Sequence, residues 1–283
     1  MMRRLIQTIS TVFFNGYVIG FINGTIFKGD LKVTCVPVLN CYSCPGALGS
    51  CPIGSLQAVL ADKKYNFSFY VLGLIMLFGI VLGRFICGFL CPFGLLQDLL
   101  YKIPLKKHNK FKYDGKLRYL KYIVLIFMVI IGPLLLVNDY GTGDPYFCKY
   151  LCPAGTFEAG IPLAIANEGV RSALGILFDY KMLILVIVVY ASIKIYRPFC
   201  KYLCPLGGIY GLFNKFSFYQ MKVDDKKCIK CKKCIDACKM NVDVLDNINS
   251  MECIRCMDCV KACPVDAIDA GLKKELQRIK NEG

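Results

Sequence analysis

Eighteen cysteines in a chain of 283 residues fall mostly into two spacing classes. The first is Cys228-x2-Cys231-x2-Cys234-x3-Cys238, repeated as Cys253-x2-Cys256-x2-Cys259-x3-Cys263-Pro264. A cube of four irons and four sulfides needs a thiolate at each of four corners. Cys-x2-Cys-x2-Cys supplies three, and the fourth cysteine of each run reaches the other cube. The spacing predicts one [4Fe-4S] cluster on Cys228, Cys231, Cys234 and Cys263, and a second on Cys253, Cys256, Cys259 and Cys238. Zinc is the bland alternative for clustered thiols, and two full runs speak against it. Lys239 follows Cys238 where proline would be usual, a departure that touches the turn and removes no ligand.

The second class is Cys-x3-Cys-Pro-x-Gly, at Cys87 to Gly94, Cys148 to Gly155 and Cys200 to Gly207. A fourth copy, Cys44 to Gly54, keeps Cys51-Pro52-Ile53-Gly54 but loses the spacing. The sequences after two copies rhyme, Ser55-Leu56-Gln57 with Leu95-Leu96-Gln97. This is an internal repeat. One box carries half a cluster site, and two boxes packed together would complete it. Proline has no N–H and restricts the residue before it, and glycine permits a tight approach of backbone to cluster. The expectation is an inner [4Fe-4S] on Cys87, Cys91, Cys200 and Cys204. An outer one would use Cys148 and Cys152 with two of Cys41, Cys44 and Cys51. Structural thiols or sensor dithiols are the alternative at these boxes. Cysteines four apart, on one helical turn, seldom bridge each other. Cys35 lies outside the repeat and reads equally as an inert thiol, a disulfide partner for Cys41 or a spare ligand.

The elements that hold these groups are apolar. The chain is 56% hydrophobic with a formal charge of +15, and its mean hydropathy of +0.50 points to membrane lipid, not nucleic acid, as the partner of that charge. Four stretches read as transmembrane helices: Leu5 to Phe27 behind Arg3-Arg4, Phe67 to about Leu82, Tyr119 to Val137, and Met182 to Tyr196. The second and fourth fall short of the ~20 residues that span a bilayer, but each runs directly into a box. From Arg84 to Lys121 there are nine Lys or Arg against Asp98 and Asp114; from Asn138 to Lys181 there are three against five acids. The positive-inside rule places the first loop in the cytoplasm and the second outside, with both termini inside a multi-pass protein of the cell membrane. Ile161 to Leu177, interrupted by Pro162, Gly169 and Gly175, reads as re-entrant or interfacial. The helices lack buried carboxylates and histidines in this reading, and His108 sits in a solvated basic loop.

The expected architecture is an all-α membrane domain of about four transmembrane helices over residues 1–215. A small α+β domain with two [4Fe-4S] clusters follows over residues 216–283, with a first strand in Phe216 to Val223 and a terminal helix from Gly271 to Lys280. Lys226, Lys227, Lys230, Lys232, Lys233 and Lys239 crowd the first run. Such a rim suits an acidic cytoplasmic carrier, a ferredoxin or flavodoxin, or else anionic lipid headgroups. The function expected from the residues is electron transfer between a cytoplasmic donor and an outer acceptor, by a component and not a self-contained enzyme.

These motifs resemble the membrane polyferredoxin family that includes the NapH quinol dehydrogenase subunit, NosR and CcoG-like proteins. The resemblance spans roughly Phe67 to Val265 and implies transmembrane helices carrying the boxes, followed by a cytoplasmic ferredoxin-like module. It also implies an outer redox protein or flavoprotein as a separate partner, since NosR-like members carry an outer flavin domain for which this chain has no room. Two further roles come from the resemblance alone: oxidation of quinol by a respiratory reductase subunit, and redox-linked metal assembly or regulation.

Overall fold

In each box the Cys-Pro step just before x-Gly begins a helix, whereas Cys44-Pro45 begins none. Pro52, Pro92, Pro153 and Pro205 open the helices Pro52–Ala61, Pro92–Leu100, Pro153–Gly155 and Pro205–Phe213, at the position where a missing N–H leaves no bond unmade. The computed structural model describes residues 2–61, 68–109, 111–136 and 143–272. It is mostly helical, with one small two-stranded sheet.

Among the described residues two helices are long and apolar enough to cross a membrane, Asp114–Leu135 with 22 residues and Ile176–Lys194 with 19. The first is π-wound over Leu125–Ile131. Pro52–Ala61 and Phe69–Leu82 are shorter apolar helices, and Phe69–Leu82 ends at Gly83, whose φ of 53° turns the chain into the second box. The apolar N-terminal stretch does not form one rod, contrary to its composition. The helix Met2–Phe14 stops before Asn15-Gly16, and only Ile19–Asn23 resumes. Thirteen residues at 1.5 Å each reach about 20 Å, short of a hydrocarbon core.

The exterior of these helices is inverted relative to a water-soluble protein. On Met2–Phe14, Leu5, Ile9 and Phe13 are 61%, 59% and 72% exposed, while Gln7 and Ser10 are buried. Inside, Gln7 donates to Asp98 and Ser10 donates to the Leu90 carbonyl. Leu77, Phe127, Leu183 and Ile187 are likewise exposed. So much outward apolar surface marks a contact with lipid or protein. The interior holds Arg84, Arg197, Arg255, Lys121 and Lys201, all buried.

The cysteine-dense C-terminal part is bracketed by strands β1, Tyr219–Val223, and β2, Ile268–Leu272, paired antiparallel with Met221 opposite Ala270. Between them lie two similar halves, each a Cys-x2-Cys-x2-Cys loop running into a one-turn helix, Lys233–Ala237 or Asp258–Ala262. Left-handed residues recur at matching places: Lys230, Lys232 and Asn241 in one half, Arg255, Met257 and Asp266 in the other. Gly271 and Leu272 belong to β2, not to the expected terminal helix, whose remainder lies outside the described residues. Ile161 to Leu177 forms the helices Ile161–Ala166 and Glu168–Ser172 and the start of Ile176–Lys194. Its breaks fall at Asn167 and Ala173 to Gly175, while Pro162 and Gly169 sit within helices.

Candidate metal centres

In the boxes the two cysteines do not share a helical turn. The first lies in a short helical segment, Phe85–Phe89, Phe147–Leu151 or Pro198–Tyr202. The second stands in extended backbone as the N-cap of the next helix, with ψ of 120° at Cys91, 106° at Cys152 and 111° at Cys204. Its sulfur takes the place of a capping oxygen: Gly155 N–H donates to Cys152 Sγ and Gly207 N–H to Cys204 Sγ, both at 3.4 Å. Proline thus fixes the helix start, and glycine supplies an N–H to the thiol with no side chain in the way. A Cβ on Gly155 would stand 3.5 Å from Cys41 Sγ.

Sixteen of the eighteen cysteines line four cavities. Cys228, Cys231, Cys234 and Cys263 line one, and Cys238, Cys253, Cys256 and Cys259 a second. Cys87, Cys91, Cys200 and Cys204 line a third. Cys41, Cys51, Cys148 and Cys152 line the fourth. The fifth outer candidate, Cys44, is turned away, its Sγ 3.5 Å from Asn15 Oδ1. Cys35 lines none of the four and is buried, and every cysteine is a free thiol.

The first three cavities are small, about 20, 20 and 10 Å³; the fourth, open on one side, is about 770 Å³. Four thiols around a space suit a cube of iron and sulfide, which presents one iron to each, whereas a single zinc ion draws its sulfurs to about 2.3 Å. Main-chain donors support the sulfurs in the C-terminal sites too. Val242 N–H donates to Cys238 Sγ and Ala267 N–H to Cys263 Sγ, the same four-residue step in each half.

The thiols' electrostatics argue against a sensor dithiol. Burial pushes Cys41, Cys51, Cys256 and Cys259 up to about 12 and Cys148 up to about 11. Reactive cysteines need depressed values. Buried thiols of this kind become thiolates when a metal supplies the opposing charge.

Two fully buried arginines tie the third cavity together crosswise. Arg197, three residues before Cys200, donates to the Cys87 carbonyl at 2.6 Å. Arg84, three before Cys87, donates to the Cys200 carbonyl at 3.1 Å. Each is paired, Arg197 with Asp98 and Arg84 with Glu252. Burial would raise the Asp98 carboxyl, but the Arg197 guanidinium outweighs it and holds the group below the usual range. Buried carboxylates nevertheless occur outside the four expected transmembrane stretches. Asp98 and Asp114 are both buried, Asp98 ion-paired with Arg197 and Arg3, Asp114 with Arg118 and Lys201. Among the described residues no arginine lines the fourth cavity. Half-buried Glu158 accepts the Cys41 N–H at 2.8 Å, and burial lifts its carboxyl to about 8. Sequence reasoning gave no role to Glu158, nor to the two glutamines of the rhyming segments.

Known proteins carry the same signatures. The chain matches a 4Fe-4S binding domain over residues 67–110, 122–161 and 182–223, one box in each. It matches a 4Fe-4S dicluster domain over residues 220–264. An uncharacterized protein of Methanocaldococcus jannaschii is 32% identical over 208 residues, 70% of this chain and 76% of that protein. The putative electron transport protein YccM of Escherichia coli is 25% identical over 172 residues, 58% of this chain and 44% of its own length. The ferredoxin-type protein NapH of Haemophilus influenzae is 24% identical over 171 residues, 58% of this chain and 51% of NapH. The chain thus spans about half the length of these last two relatives. No solved structure matches it. Repeated boxes, paired cysteine runs and these relatives together show that the chain belongs to the polyferredoxin-like family of 4Fe-4S membrane proteins, whose chemistry is iron-sulfur electron transfer.

Proposed function

We propose that this chain is a transmembrane electron conduit with four [4Fe-4S] clusters, passing electrons between a cytoplasmic donor and an acceptor on the outer side. One observation carries the reading: the four thiol-lined cavities follow one another through adjoining residues. Leu245 lines the cavity of Cys228 and its neighbour Val244 that of Cys253. Ile254 lines the Cys253 cavity and presses its carbonyl on Gly88, beside Cys87. Leu39 lines both the Cys87 and the Cys148 cavities. The ligand sets are then Cys228, Cys231, Cys234 and Cys263; Cys253, Cys256, Cys259 and Cys238; Cys87, Cys91, Cys200 and Cys204; and Cys41, Cys51, Cys148 and Cys152.

In this reading residues 1–215 form the membrane domain and residues 216–283 the ferredoxin-like domain on its cytoplasmic side. The bound clusters supply one-electron carriers. The protein's share is to hold them in file, exclude water and steer partners. Cys231 and the six lysines about the first run are exposed, so the Cys228 site is the natural port for an acidic ferredoxin or flavodoxin. An outer redox protein or flavoprotein would meet the open Cys148 cavity.

The test uses the full chain in liposomes with its cytoplasmic face outward and an impermeant acceptor trapped inside. Reduced flavodoxin should reduce the trapped acceptor. Reversing Lys230, Lys232 and Lys233 to Glu should slow that reaction at low ionic strength and leave reduction by a small neutral dye unchanged, because steering acts on association and is screened by salt. Equal behaviour of both reductants would exclude this port. The size of the outer cavity favours a second reading, in which a membrane quinol binds beside the outer site. Reduction of the clusters by quinol alone, without flavodoxin, would select it.

A further inference from the structure

We infer that Gln57 and Gln97 set the reduction potentials of the outer and inner membrane sites, each by a hydrogen bond into one ligating sulfur. The inference rests on the four-cluster reading above. Gln57 follows Cys51 by six residues, and Gln97 follows Cys91 by six. Both are buried, 0% and 1% exposed. Each reaches across to the box that completes its cavity, in the same way. Gln57 Oε1 accepts the N–H of Phe147 at 3.0 Å, and its Nε2 donates to Cys148 Sγ at 3.2 Å. Gln97 Oε1 accepts the N–H of Phe199 at 3.2 Å, and its Nε2 donates to Cys200 Sγ at 3.0 Å. A second Nε2 hydrogen goes to the Ile53 carbonyl in one case and the Phe93 carbonyl in the other.

The amide orientation is forced. A backbone N–H can point only at an acceptor, so Oε1 must face Phe147 or Phe199, and the NH2 must then face the sulfur. Recurrence of the same four-point arrangement at both sites, on residues 40 apart in sequence, argues against accident. An N–H directed at a cluster thiolate stabilises the more negative, reduced state, and hydrogen bonds to the sulfurs are among the factors that set such potentials. A buried position makes the bond count for more than it would in solvent. Glutamine suits the task better than a charged donor. It adds a dipole without a charge, and its oxygen locks the box whose first cysteine it contacts.

The test is an EPR-monitored redox titration of the anaerobically purified full chain. Gln97→Met, similar in length and unable to donate, should shift the inner couple toward the oxidised form at least tenfold, which is about 59 mV for one electron, and leave the outer couple in place. Gln57→Met should do the reverse. Gln97→Glu keeps the acceptor for Phe199 N–H but sets an oxygen against Cys200. Its inner potential should fall at high pH and recover as the carboxyl gains a proton and becomes a donor again, a pH dependence absent from the wild type. A purely structural clamp would not produce that recovery. Unmoved potentials with full iron content, or loss of the cluster iron in both Gln97 variants, would overturn the inference. A wild-type protein with only about eight irons, the content of two clusters, would instead sink the four-cluster reading beneath it.

Discussion

Serine at both Cys87 and Cys200 should remove one cluster, lowering iron from about sixteen to about twelve atoms per chain, while the signals of the two C-terminal clusters persist. The two residues come from different boxes, one from each half of the same cavity. Their loss leaves Cys91 and Cys204, which cannot close a cube alone. The C-terminal sites draw on none of these residues. In the liposome assay the double variant should still accept electrons from flavodoxin yet deliver almost none to the trapped acceptor. Since Leu39 lines both the inner and the outer cavity, the inner site stands next to the outer one, and its removal leaves a gap in the file. Iron analysis, EPR and acceptor reduction on the same preparation check the three parts. A double variant that keeps sixteen irons would mean that these cysteines are not ligands, and a wild type near eight would remove both membrane sites.

The gathering of each cysteine run was legible because its geometry is local. Three cysteines fall within seven residues, and left-handed residues at Lys230 and Lys232, matched by Arg255 and Met257, give both loops one shape. The helix start after each box was not read from the sequence, which suggested both box cysteines on one helical turn; the proline instead sets the second cysteine in extended backbone before the next helix. What escaped the sequence depends on contacts across the fold. Whether Cys41 or Cys44 joins Cys51 could not be read from a box with altered spacing. In the fold Cys41 lines the outer cavity with its N–H held by Glu158, while the Cys44 thiol goes to Asn15, contacts 117 and 29 residues away. Asp98 and Asp114 looked like loop charges, since the Arg197 that neutralises Asp98 lies 99 residues further on. The rhyme of Gln57 with Gln97 was visible, but its purpose needs the thiols 91 and 103 residues downstream. The first apolar stretch misled because hydropathy cannot see the break at Asn15-Gly16. Nor does it register that Gln7 and Ser10 serve the interior while leucine and phenylalanine face out.

A valine at Gly88 should uncouple the C-terminal clusters from the membrane sites without touching a ligand. Gly88 lies between Cys87 and Phe89 in the second box, and a Cβ there would stand 2.2 Å from the Ile254 carbonyl oxygen. That neighbour is backbone, held in place by several anchors. Arg84 donates to the Met251 carbonyl at 2.6 Å and to Glu252, and Lys121 pairs with the same carboxylate. Gly211 meets the Met251 carbonyl as closely, with 2.7 Å for its would-be Cβ. The segment Met251 to Ile254 thus rests on two glycines and can retreat only by pulling these buried bonds apart. Overpacking of a close-packed site costs about 1–3 kcal/mol. Breaking one side of a buried ion pair costs a further ~3–5 kcal/mol, so the segment should lift away whole instead of compressing. Gly88→Val should therefore keep about sixteen irons, accept electrons from flavodoxin at the wild-type rate, and lose most delivery to the outer acceptor. Gly73 serves as control, since nothing lies within 4 Å of a Cβ there. Gly73→Ala should leave delivery unchanged and gain slightly in thermal stability, as alanine does over glycine inside a helix. Full delivery by Gly88→Val would mean that electrons do not pass between Ile254 and the second box, and that the route into the membrane domain lies elsewhere.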